Sequence, residues 1–93
     1  MPEPALCLLW GIERVLRPLG WTLRSIKGGY NSFVLEKPGD PREFHFRWWK
    51  ETHPDSVMVI DGYRNGQLLG ELTSVGDVGR FLVMVSRTKK RWY

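Results

Sequence analysis

Near the start of the chain, apolar residues recur at helical spacing. Leu8, Leu9, Ile12, Val15, Leu16 and Leu19 mark one face, and Glu13, Arg14 and Arg17 lie off it. The spacing predicts a helix over residues 4–17. Pro4 suits its first turn, where a missing N–H costs nothing, and Pro18 and Gly20 end it. From Trp21 onward the pattern is that of strands. Residues 21–26 and 30–36 read as strands joined at Gly28-Gly29, and Lys37-Pro38-Gly39-Asp40-Pro41 is a second turn, because its prolines and glycine resist regular pairing. Residues 42–50 alternate most cleanly: Phe44, Phe46 and Trp48 share one face, expected to be core, and His45, Arg47 and Trp49 share the other.

After a loop over residues 51–56, residues 57–63 and 67–73 read as a hairpin around Asn65-Gly66, whose residues suit the positive φ of a type I′ turn. A two-residue turn sets Val59 opposite Leu72 and Tyr63 opposite Leu68, with Asp61 and Gly70 between them, and that face is expected to be mostly core. Ser74-Val75-Gly76-Asp77 has the spacing of a capping box with Asp in place of Glu. Val78, Phe81, Leu82 and Val85 follow at helical spacing. Gly76 and Gly79 weaken that pattern, and Val83, Met84 and Val85 would also suit a strand; the reading favours helix. The order is therefore an α+β fold: helix, an antiparallel sheet of four or five strands, helix, with both helices on one sheet face and the other face left for solvent or a partner.

Composition narrows the class. Ninety-three residues make one domain, spanning 1–93 with a basic C-terminal tail from about residue 86. Hydrophobic residues at 42% and charged residues at 26% argue against wholesale disorder. No apolar run approaches the roughly 20 residues that span a bilayer, and Met1-Pro2-Glu3-Pro4 lacks the basic region of a secretory signal, so a cytoplasmic location is expected. The net charge of +4 is unevenly spread. Residues 80–93 hold Arg80, Arg87, Lys89, Lys90 and Arg91 and no acid, for +5, leaving 9 basic and 10 acidic residues, or −1, in residues 1–79. Such a tail is a handle for phosphates or acidic partners, and equally a common solubilising end.

Candidate chemistry is sparse. Cys7 stands between apolar neighbours, as a structural thiol does, and a single cysteine supports neither an internal disulfide nor a Cys-rich zinc site. His45 and His53, with Glu43, Glu51 and Asp55 nearby, match no metal-ligand spacing. Ser32, Ser56 and Ser74 carry no nucleophile signature, and Asp61 and Glu71 read as ordinary strand residues. The expectation is no enzyme, no cofactor and no metal. Five tryptophans are many for this length. Planar and cationic groups on a sheet face stack bases and neutralise phosphates, and they also make protein-binding hot spots.

Val15-Leu16-Arg17-Pro18-Leu19-Gly20-Trp21-Thr22-Leu23-Arg24-Ser25-Ile26-Lys27-Gly28-Gly29 resembles the opening of HicA-type toxin proteins, in which a helix ends in a Gly-Trp-like step and a first strand leads into a Lys-Gly-Ser-His turn. That family is similar to the double-stranded RNA-binding domain in its helix, three strands, helix order. The resemblance implies an RNA-binding scaffold and, in active members, cleavage by the turn histidine. Here the turn reads Lys27-Gly28-Gly29-Tyr30-Asn31, so cleavage does not carry over, and the hairpin around Asn65-Gly66 is an addition to the three-stranded order.

The leading expectation is a small nucleic-acid-binding domain, for RNA or DNA. Its contacts would be Arg24, Lys27, His45, Arg47 and Trp49 on the sheet and turn, with Arg87, Lys89, Lys90, Arg91 and Trp92 from the tail, aligned as one phosphate-facing strip. The alternative is a protein-binding accessory or inhibitor module of a phage or mobile element, presenting an apolar-aromatic patch or an open sheet edge; a homodimer through the sheet is a variant of it.

Overall fold

The computed structural model describes residues 4–26, 31–62 and 66–87. Helix α1 is Pro4–Leu16, followed by a 3₁₀ turn at Arg17–Leu19. Its inward stripe is Ala5, Leu9, Ile12 and Leu16, all buried. Val15 and Leu19, expected on that face, are instead 51% and 58% exposed. Val15 lies a rotation of about 100° from Leu16, and Leu19 belongs to the tighter turn, which takes it off the stripe. Gly20 closes the segment in the left-handed region at φ 98°. Its N–H donates to the Arg17 carbonyl and the Trp21 N–H to the Leu16 carbonyl, the two bonds of a Schellman motif. The motif delivers Trp21, buried, into the core.

Five antiparallel strands follow as a meander, in spatial order β1 (Thr22–Ser25), β2 (Ser32–Glu36), β3 (Glu43–Arg47), β4 (Val57–Asp61) and β5 (Leu68–Leu72). Each is shorter than its sequence reading at one or both ends. The register puts Leu23, Leu35 and Phe44 in one row and Phe33, Phe46 and Val59 in the next. These residues face helices α1 and α2 (Val75–Ser86), and both helices contribute to the same hydrophobic cluster. Phe44, Phe46 and Trp48 are buried, as their alternation predicts. Phe81 of α2 meets Phe44 and Phe46 edge-on, at centroid distances of 5.2 and 5.5 Å. The α+β fold with both helices on one sheet face is thus the one read from the sequence. Among the described residues no helix is long and apolar enough to cross a membrane.

The β4–β5 register differs from expectation by two residues. Leu72 pairs with Val57 and Gly70 with Val59, and a bulge then brings Leu68 opposite Ile60. The Asp61 N–H donates to the Gln67 carbonyl, so the connection is longer than two residues; Tyr63 and Asn65 lie outside the described residues. Two-residue shifts keep side-chain parity, so Val59 and Leu72 still reach the core. The bulge, in contrast, turns Leu68 outward to 51% exposure.

Helix α2 forms despite its glycines because its N-terminus is well capped. The Ser74 hydroxyl accepts from the Asp77 N–H, and the Asp77 carboxylate accepts from the Thr73 N–H and hydroxyl. Those Thr73 donors hold the Asp77 carboxyl below the ordinary Asp range. At the other end of α2, Arg42 donates to the Val85 carbonyl at 2.8 Å. The same guanidinium forks onto Asp40 and lies 5.4 Å from the Trp21 ring centroid, tying the β2–β3 turn, the helix end and the core together. The side-chain bonds from Arg42 hold Asp40 below its ordinary range as well.

Candidate binding face

The sheet face away from the helices is built by strand parity. One row across it is Arg24, Val34, His45, Ile60 and Leu68; the next is Ser32, Arg47, Met58 and Glu71. His45 and Arg47 therefore lie on the outer face, as expected, and Trp49 is 42% exposed just beyond β3. Val34 and Ile60 are buried there although, among the described residues, no helix packs on that face. Arg24 and His45 flank Val34 in its row, so the face has an apolar floor beneath its polar rim.

Charge on this face is balanced locally. Arg24 pairs with Glu36 at 3.3 Å, and His45 Nε2 lies 2.6 Å from Glu43 Oε1. Gly62 makes the second pair possible: its N–H donates to the Glu43 carbonyl, and a Cβ on it would stand 2.4 Å from His45 Cδ2. The strand side chains of this face include two arginines, Arg24 and Arg47, against three glutamates, Glu36, Glu43 and Glu71. Such a balance does not make a phosphate-attracting strip.

Of the expected site residues, Arg24, His45, Arg47 and Trp49 come together on or beside this face. Arg87 does not join them. It caps α2 on the helix layer, in the last turn that Arg42 reaches before β3 begins. Arg47 ends β3 on the opposite face, about 16 Å farther along the strand at the usual rise. Lys27, Lys89, Lys90, Arg91 and Trp92 lie outside the described residues.

Beside Trp49 is a cleft of about 300 Å³ lined by Trp49, Thr52, His53, Ser56, Met58 and Glu71. The loop after β3 brings its wall together. The His53 N–H donates to the Trp49 carbonyl at 2.7 Å, and the Trp48 indole N–H donates to the Pro54 carbonyl, which holds the loop against the core. Met58 and Glu71 are direct cross-strand partners and form the sheet side. Sequence reasoning missed this grouping. The expected register would put Met58 opposite Thr73, so the Met58–Glu71 pair was hidden. Asp61 pairs with Phe44 and is on the other face from Glu71, so those two carboxylates do not form a site. Among the described residues no three His, Cys, Asp or Glu side chains gather as a metal site.

Comparison with protein-family models, curated proteins and solved structures finds no match to this chain.

Proposed function

We propose that this chain is a binding module that recognises a protein partner with the helix-free face of its sheet, at the end marked by Trp49. The observation that carries the reading is the combination of an exposed Trp49 with a cleft, lined by Trp49, Met58 and Glu71 among others, at the same end of the sheet. A half-exposed tryptophan next to a pocket is the kind of residue that dominates protein interfaces. The face is a better candidate than the sheet edges: β5 is bulged and β1 has four residues, and both features discourage strand addition.

The test is a random peptide display selection on the immobilised full chain. The reading expects enriched peptides whose binding is lost on Trp49→Ala and kept on Val75→Ser, an exposed position on α2. Enrichment that ignores Trp49 overturns it.

A second reading is nucleic-acid binding, which rests on the cations Lys89, Lys90 and Arg91 beside Trp92 in the sequence. Three neutralised phosphates on duplex DNA would give a log–log salt slope of about −2.7. Titration with labelled RNA and DNA at two salt concentrations separates the readings: salt-steep binding that Trp49→Ala leaves intact supports the tail, and no binding at low salt ends it.

A further inference from the structure

Resting on the protein-partner reading, we infer that the cleft beside Trp49 is a receptor for one basic side chain, arginine or lysine, of that partner. Its chemistry is selective. Among the described lining residues Glu71 is the only carboxylate, and none is a lysine or arginine. Glu71 makes no ion pair among the described residues, so its charge is available to a ligand. The loop that walls the cleft carries Glu51 and Asp55 against Lys50, and Arg47 flanks Met58 in the row that ends at Glu71, so three carboxylates stand around the cleft against two cations. Trp49 contributes an aromatic ring to the lining, the kind of group that attracts a cation, and Met58 an adaptable apolar surface for the aliphatic stem of the same side chain. A volume of about 300 Å³ is at the small end of ligand sites, suited to a single side chain. A phosphate or a carboxylate entering beside Glu71 would be repelled. Arg47, the neighbouring cation, which makes no ion pair among the described residues, lies outside the lining and would meet an acidic residue next to the basic one.

The experiment uses the ¹⁵N-labelled full chain and reads the indole N–H resonance of Trp49, assigned with Trp49→Phe. The probes are blocked Gly-Arg-Gly, Gly-Lys-Gly and Gly-Glu-Gly and a hexathymidine oligonucleotide. Arginine or lysine peptide is expected to shift the resonance saturably at millimolar concentration, with the Glu peptide and the oligonucleotide inert. Glu71→Gln is expected to weaken the basic peptide about fivefold, and in Trp49→Leu, read at the backbone amides of Met58 and Glu71 because the indole is gone, the basic peptide is expected to cause no shift while circular dichroism stays unchanged. Equal shifts from the Glu and Arg peptides, an unaltered affinity in Glu71→Gln, or a response to the oligonucleotide alone would overturn the assignment. Display peptides that need Trp49 but no basic residue would sink this inference and leave the protein-partner reading standing.

Discussion

Gly62→Ala is the substitution most tightly determined by the geometry. Gly62 has no positive φ, so alanine is allowed by the backbone, and the cost comes from space alone. The new methyl would stand 2.4 Å from His45 Cδ2 and 2.5 Å from Nε2. The His45 ring is partly exposed and can rotate away, which places the overpacking cost near the low end of its range, about 1 kcal/mol. Rotation breaks the 2.6 Å contact with Glu43, worth roughly another 0.5–1 kcal/mol. The expected loss is about 1–2 kcal/mol. In a His45→Ala background the clash is gone. What remains is a tighter contact with the Glu43 carbonyl at 3.1 Å, offset by the reduced freedom of the unfolded chain, about 0.4–1 kcal/mol. Gly62→Ala should then be nearly neutral. Urea unfolding of the four proteins, followed by circular dichroism, gives the coupling energy directly. An equal cost of Gly62→Ala with and without His45 would refute the packing argument.

Phe81→Ala should cost about 3–5 kcal/mol, because it empties the space between Phe44 and Phe46; at the usual stability of 5–15 kcal/mol, thermal melts should show a severely weakened or unfolded chain, whereas Phe81→Leu should still melt cooperatively. Arg42→Lys should lose the fork onto Asp40 and the bond to the Val85 carbonyl and lower stability by about 1 kcal/mol in urea titrations; an unchanged midpoint would remove Arg42 from its proposed tie. Asp77 titrates below its ordinary value in the folded chain, so its contribution is fully present above an unfolded pKa of about 3.9 and is lost as pH falls through the lower folded value. Asp77→Asn should therefore flatten the acid limb of the stability–pH curve, and an unchanged limb would contradict that assignment.

Legibility from sequence followed the range of the interactions. The faces of β3 could be read because Phe44 and Phe46, and Trp48 just past the strand end, alternate with polar or exposed neighbours. The start of α2 could be read because Ser74 and Asp77 cap it within four residues, offsetting the glycines at positions 76 and 79. The inward stripe of α1 was displaced, because hydrophobicity alone does not distinguish exposed Val15 from buried Leu16. The β4–β5 register was not legible: two registers two residues apart both send Val59 to the core, and nothing local announces the bulge opposite Val59 and Ile60. The cleft depended on that register, so it stayed hidden with it. The pairing of His45 with Glu43, two residues apart on one strand face, was present in the pattern and could have been read.

The surface that does the binding is decided most directly by mapping amide shifts of the ¹⁵N-labelled chain with the tightest display-selected peptide. Changes are expected to concentrate at Arg47, Trp49, His53, Met58 and Glu71, on one face and one end of the sheet. Changes concentrated instead on the helices, around the exposed Trp10 of α1 and Val83 of α2, would contradict that expectation.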